Sequence, residues 1–403
     1  MLIKPTIIQL GSASLNKILG LFITAYLYRL YTLEEIGEYF LLISLFSIFV
    51  AIQQIGSDKP LIKYHIKSHK KNEYQILKTR VFISLILAPI LFYISNNLFD
   101  SITYFGAILL LFALVFNSLA LDYLLIARKK FLGLSIIQFF VQFIVFIFFG
   151  LCLYFNLKPD IIFLQFLSSV IVAILIFILV KKIITINLKK IFFAKIVSLG
   201  YFKENKIIIA GILFVSVITV LDFLLAENIL KDFELGIISG LYRYSMLSFS
   251  FLMIISKILF SFSISTSNSK KFDFMSKQLM FKFNIVSVLI LLLFLFPYLK
   301  YIMDLDQVDF ILLPAVIITL STIFMPGFFL ELNKIQSTEK KKSFNFFIIF
   351  ITITILLYYI GGLYFSSLFT ETISYNFLSY IFLLKWIFLN LGITYVRKKS
   401  SIR

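Results

Sequence analysis

Apolar runs of about 20 residues follow one another from end to end of this chain, parted by short polar stretches. At 1.5 Å rise per residue, a run of that length crosses the ~30 Å hydrocarbon core of a bilayer. The pattern predicts twelve spans, at 6–28, 36–57, 76–96, 102–125, 132–155, 161–181, 206–226, 236–262, 281–302, 310–332, 344–364 and 375–396. The first run is too long for a signal peptide, carries Lys17 at its middle and lacks a small-residue cleavage site, so it reads as a retained helix. The fold class is therefore an all-α polytopic membrane protein. Composition agrees: 61% of the residues are hydrophobic, and 50 Phe stand against 7 Pro.

Charge supplies the orientation. The formal net charge of +18 would suggest nucleic acid in a soluble protein, but here the positions of the charges matter more. One set of connections is basic: Lys59 to Arg80, ARKK at 127–130, Lys181 to Lys206, Lys270 to Lys282, EKKK at 339–342, and the tail RKKSSIR. The alternate set is short and acidic: TLEEIGE at 32–38, Asp100, Asp160, ENILKDFE at 227–234, DLDQVD at 304–309, and Glu371. Because positive charge is retained in the cytoplasm, both termini are predicted inside and the acidic turns outside. Charge runs that were merely solvated loops would not alternate through twelve spans.

The two halves echo one another. YTLEEIGEYFLLISLFS at 31–47 and NILKDFELGIISGLYRYSMLS at 228–248 each carry acidic residues, a glycine and then an aromatic-rich helix, half the chain apart. This suggests two six-helix lobes, 1–190 and 191–403, joined by the basic segment 181–206, with a site between them as in many transporters.

A few charges lie well inside the spans: Lys17, Asp122, Asp222, Arg243 and Lys385, with Lys257 and Glu331 nearer the ends. Lys17 lies roughly 18 Å from the cytoplasmic edge and Lys385 roughly 16 Å, counting 1.5 Å per residue. A lysine stem of about 6 Å relieves neither by snorkelling. Each buried charge costs about 2.5–3.5 kcal/mol on insertion scales, so it should face a partner or a wet cavity. Two readings stand. Structural pairing is one, and Asp222 with Arg243, on consecutive helices, is the expected pair. The other is a polar path, in which Lys17, Arg243 and Lys385 attract an anionic cargo and Asp122 and Asp222 serve as a gate or as a proton or sodium site.

The sequence offers no catalytic constellation. His65 and His69 lie in a basic loop without the Glu of H-E-x-x-H, no phosphate-binding G-x-x-x-x-G-K-[ST] occurs, and Cys152 has no second cysteine to pair with. No cofactor is expected, and energy for transport must come from an ion gradient, of protons or sodium, or from the substrate gradient. Pro89, Pro314 and Pro326 interrupt predicted helices and permit bending.

At the level of family, GSASLNKILGLFITAYLYRLYTLEEIGEYFLLISLFSIFVAIQQIGSDKPLIKY, LALDYLLIARKKF and VLDFLLAENILKDFELGIISGLYRYSMLSF resemble segments of the Wzx-type polysaccharide flippases. These belong to the multidrug/oligosaccharidyl-lipid/polysaccharide exporter superfamily. The resemblance implies two six-helix lobes around a central cavity that opens alternately inward and outward. It implies an undecaprenyl-pyrophosphate-linked glycan as cargo, for O-antigen, lipopolysaccharide or capsule, with membrane lipids, a polysaccharide polymerase and chain-length machinery as partners, and no nucleic acid. LNKILG is similar to the segment in which related lipid II flippases place a cavity arginine, and Lys17 occupies that place. A lysine is a point charge rather than a bidentate fork, and no second basic residue follows before Arg29, which favours an O-antigen or capsule unit over lipid II. Two alternatives are kept: a drug/cation antiporter of the same superfamily, which would want an acidic cavity, and a membrane-embedded polysaccharide polymerase, which would want a large external loop.

Overall fold

A computed structural model describes residues 3–54, 73–97, 99, 102–120, 125, 131–183, 193–265, 270–305, 308–338, 341–366 and 374–401. Among these there is no strand. Twelve helices follow in order: α1 (Ile3–Leu30), α2 (Leu33–Gln53), α3 (Glu73–Asn97), α4 (Tyr104–Ser118), α5 (Phe131–Tyr154), α6 (Phe163–Ile183), α7 (Leu199–Ile229), α8 (Asp232–Ser265), α9 (Lys270–Pro297), α10, α11 (Lys341–Ser366) and α12 (Ser374–Ser401). Helix α10 consists of three pieces end to end, Asp309–Ser321, Thr322–Phe324 and Met325–Thr338. Nine segments among the described residues are long and apolar enough to cross a membrane, while Tyr104–Ser118 and Gln165–Ile178 are apolar but shorter. The chain is a multi-pass membrane protein.

The helices are apolar outside as well as inside. On α9, Ile285, Val286, Leu289, Ile290 and Leu293 are exposed while Val288 and Leu291 are buried. An exposed stripe of large aliphatics at helical spacing is what a bilayer, rather than water, solvates. Helices α3, α7, α8 and α9 begin earlier than hydropathy predicts, because they run on through charged turns, acidic at α8, that an apolar window cuts off. Helix α4 instead stops early, at Ser118, where the predicted span ran to 125.

The chain divides into two compact units. Unit 1 is Met1–Leu30 with Leu42–Ser216, and unit 2 is Tyr31–Leu41 with Val217–Arg403. The division expected from sequence, 1–190 and 191–403, follows the repeat; the packed units instead share out α2 and α7 along their lengths. The reason is visible locally. Before α7, the Val197 N–H donates to Thr79 Oγ1 at 3.0 Å, which ties the start of that helix to α3. Gly236 of α8 lies so close to the start of α2 that a Cβ there would meet the Leu33 carbonyl. Gly236→Val is therefore expected to push these segments apart and destabilise the protein by about 1–3 kcal/mol, read as a lower Tm in detergent.

The duplication shows in packing and in caps. In unit 1, α4 packs on α3 and on α6, and α5 on α6; in unit 2, α10 packs on α9 and on α12, and α11 on α12, which is the same order six helices later. At the start of α2, Thr32 and Glu35 form a reciprocal capping box, Thr32 N to Glu35 Oε2 at 2.9 Å and Glu35 N to Thr32 Oγ1 at 3.3 Å. At the start of α8 the Lys231 N–H donates to Glu234 Oε2 at 3.2 Å, half of the same box. The acidic turns that signalled an outer surface are thus also helix starts.

Of the three prolines expected to interrupt helices, Pro89 and Pro314 lie inside unbroken helical stretches, and only Pro326 sits at a break. Pro326 has no N–H for the carbonyl of Thr322, four residues earlier, and α10 tightens there into a 3-10 turn. That carbonyl is recovered by Asn284 Nδ2 at 2.9 Å, and Ser248 Oγ donates to Asn284 Oδ1 at 2.7 Å. Three helices of unit 2 therefore share one buried polar network around a helix break.

Candidate functional site

In unit 2 the buried faces of three helices converge on charge. On α7 the buried positions include Ile218, Asp222 and Leu225, on α12 Leu378, Phe382, Trp386, Leu389 and Ile393, and on α11 Phe347, Thr354 and Tyr358. The three- and four-residue spacing is that of apolar helix seams, and Asp222 falls within one of them. Lys385 lies beside Trp386, at the edge of the α12 seam, and its side chain and that of Asp222 have no solvent exposure.

The ammonium of Lys385 donates to Asp222 Oδ2 and forms an ion pair with it, and the Tyr358 hydroxyl donates to Oδ1. Both carboxylate oxygens are thus satisfied from two other helices. Three rings surround the ammonium, with centroids at 4.4 Å for Phe382, 4.9 Å for Trp386 and 5.4 Å for Tyr358. Tyr242 of α8 stacks on Phe382 at 5.2 Å and closes the cluster from a fourth side. Desolvating two charges is expensive, and only direct contact with satisfied lone pairs offsets it. This site meets that condition.

The pairing expected from sequence, Asp222 with Arg243, is corrected here. Asp222 takes Lys385, from a helix far along the chain, and Arg243 lies instead over the Phe40 ring at 4.8 Å, at the α2 segment that belongs to unit 2. Lys385, one of the two deep lysines, is thus in direct contact with a carboxylate. Arg243 and Lys17 are both half-buried, Lys17 on α1 between the exposed Leu15 and Ile18. Asp122 lies outside the described residues. Glu331 pairs with Arg397 at 2.6 Å, and Lys334 with Asp273 at 3.4 Å.

Two groups escaped the sequence reading. Arg80, counted there among basic loop residues, is 2% exposed inside α3 and donates to the carbonyls of Ala120 at 3.1 Å and Asn117 at 3.3 Å. It caps the C-terminal end of α4, where the helix dipole favours a cation. Gln53 of α2 donates to the Leu114 carbonyl of α4 at 3.1 Å, and the Gln53 and Arg80 side chains share a small cleft with Thr79 and Tyr201. The signal for Arg80 was its place at the head of the apolar run VFISLILAPI. Tyr358 and Trp386 carried no signal among so many aromatic residues.

Among the described residues no group of three or more His, Cys, Asp or Glu is placed to hold a metal ion. No protein-family model matches the chain, and no curated protein sequence matches it. Solved structures do. A mutant of the Vibrio cholerae MATE transporter VcmN matches over 99% of this chain and 96% of its own, with TM-score 0.71 and 11% identity. A multidrug resistance MATE family transporter of the MOP superfamily in its outward-facing conformation matches over 99% and 96%, with TM-score 0.66 and 11% identity. The chain has the MATE transporter fold. A MOP superfamily transporter from Pyrococcus furiosus, described as having a binding pocket of reverse polarity, shares that fold over 99% of this chain and 95% of its own, with TM-score 0.67 and 11% identity. Proteins sharing the MATE fold here are transporters rather than enzymes, and the fold is a two-lobe one.

Proposed function

We propose that this protein is a membrane transporter that moves its cargo by alternating access. The observation that carries this reading is the match of nearly the whole chain to one fold solved in both inward-facing and outward-facing conformations, with TM-scores of 0.65 and 0.66. One chain length that fits both states is what a transporter of rocking lobes requires. Coupling is to an ion gradient.

On cargo, different observations favour two readings. The solved relatives speak for a drug antiporter, since two of them are multidrug resistance transporters by description. The charges speak for an anionic cargo. Asp222 and Glu331 are each held by a basic side chain, Lys385 and Arg397, so neither is a free anionic site for a cationic drug. Lys17 and Arg243 add positive charge within α1 and α8. Cationic residues within the spans suit a pyrophosphate-linked glycan on a lipid carrier, and the resemblance of the first two helices to Wzx-type flippases points the same way. The Pyrococcus furiosus relative supports the idea that one fold carries pockets of opposite polarity.

A strain deleted for this gene separates the readings. A flippase predicts that undecaprenyl-pyrophosphate-linked repeat units accumulate on the cytoplasmic face with drug susceptibility unchanged. An antiporter predicts raised susceptibility and normal surface glycan. In the flippase case Lys17→Ala is expected to insert normally and to restore less than about a tenth of surface glycan, the scale of one lost charge-assisted contact. Full restoration by that variant would remove Lys17 from the path.

A further inference from the structure

In unit 1 the end of α4 is held by two side chains, and each has a polar atom left over. Arg80 uses Nη1 and Nη2 on the Ala120 and Asn117 carbonyls, and Gln53 uses Nε2 on that of Leu114. Arg80 Nε and Gln53 Oε1 have no hydrogen-bond partner among the described residues, although Arg80 is 2% exposed and Gln53 0%. Buried polar atoms are bonded in nearly every folded protein, so a donor and an acceptor left over together call for a partner. Both side chains line one small cleft, with Ile76, Thr79, Val197 and Tyr201.

Unit 2 shows how the same joint closes without help. Asn117 and Thr322 each lie thirteen residues after the start of their helices, Tyr104 of α4 and Asp309 of α10. Asn284 of α9 donates to the Thr322 carbonyl at 2.9 Å and accepts from Ser248 of α8 at 2.7 Å, so direct bonds join α8, α9 and α10. In unit 1, Arg80 of α3 holds the corresponding carbonyl and Gln53 comes from α2, but no direct bond joins those two side chains.

The chemistry of the cleft selects what completes it. The Arg80 guanidinium disfavours a cation, and the Gln53 carbonyl oxygen disfavours an anion. A partner that accepts from Nε–H and donates to Oε1 is a hydroxyl. Thr79 Oγ1 accepts from the Val197 N–H at 3.0 Å and donates to the Gln75 carbonyl at 2.8 Å, which leaves one lone pair for a further donor. The cleft has a volume of about 10 Å³, the room that one water needs.

We propose that this cleft binds a single water, which accepts from Arg80 Nε and donates to Gln53 Oε1 and Thr79 Oγ1. Three hydrogen bonds are the usual complement of a buried water. The water joins α2 to α3 and, through Thr79, to the segment before α7. An exchangeable molecule thus stands in unit 1 where a side-chain bond stands in unit 2, and only the unit 1 joint parts by releasing a water.

The test is a structure of the full-length protein in lipid nanodiscs that shows ordered water. One isolated peak is expected about 2.7–3.2 Å from Arg80 Nε, Gln53 Oε1 and Thr79 Oγ1. A direct bond between Arg80 Nε and Gln53 Oε1 with no peak, or density that continues out of the cleft as a lipid or detergent headgroup, overturns the proposal. Hydroxyl-radical footprinting after a jump into oxygen-18 water gives a second readout on the same sample. Tyr201, which lines the cleft at 7% exposure, is expected to be labelled with delayed uptake of the isotope, and Tyr93, at 67%, without delay. Gln53→Met, which keeps the length of the side chain, is expected to lose the delayed label. A Tyr201 label that is missing in wild type, exchanges as fast as that of Tyr93, or survives unchanged in Gln53→Met overturns the proposal.

Discussion

Lys385→Met is expected to be the most damaging single substitution in unit 2, costing about 3–5 kcal/mol because it leaves the Asp222 charge buried without its cation. The expected remedy is specific. Lys385 and Asp222 contact each other with no solvent exposure, so removing both charges in D222N/K385M should recover most of the loss, and a double-mutant cycle should show strong coupling. The two single variants should also differ. Asp222→Asn leaves an ammonium still faced by Phe382, Trp386 and Tyr358, whereas Lys385→Met leaves a carboxylate with only the Tyr358 hydroxyl. Asp222→Asn is therefore expected to be the milder. Protonation of Asp222 would remove the stranded charge, so the Lys385→Met defect should shrink as pH falls. Thermal unfolding in detergent across pH checks all three statements, and equal losses in both single variants would show that the rings contribute nothing.

Arg80→Met is expected to cost about 3 kcal/mol, since hydrogen bonds from a charged donor are worth about 1.5–3 kcal/mol and two carbonyls lose theirs. Methionine keeps much of the bulk, so the loss reports on the polar role. The carbonyls of Asn117 and Ala120 lie at the end of α4, and the neighbouring Thr79 accepts from Val197 just before α7. The effect should therefore spread: faster hydrogen exchange is expected both at the end of α4 and at the start of α7, while unit 2 stays protected. Exchange confined to α3 would contradict the capping role.

Among the described residues the order of the long helices was legible in the sequence, because one physical quantity, apolar run length, sets it. The halves were legible at the α2 and α8 starts, where the acid-then-glycine pattern proved to be a shared cap, with Glu35 and Glu234 each bonding the backbone three residues before it. Side-chain partners were not legible. Asp222 was matched to Arg243 because they lie on consecutive helices and depth was counted from predicted ends. Helix α7 in fact runs from Leu199 to Ile229, and its partner comes from α12. Which helices become neighbours is a tertiary fact that hydropathy does not carry. Arg80 shows the same limit from the other side: a basic residue at a span's end looks like a loop charge until the helix it caps is seen to stop short at Ser118.

The central claim is that the path through this protein opens to each side of the membrane in turn and that Lys17 lines it. The most direct test places a single cysteine at Lys17 in a Cys152→Ser background and labels it with a membrane-impermeant maleimide from either face of oriented vesicles. The account predicts labelling from both sides, with conditions that raise one rate lowering the other. Labelling from one side under every condition, or from neither, would contradict it.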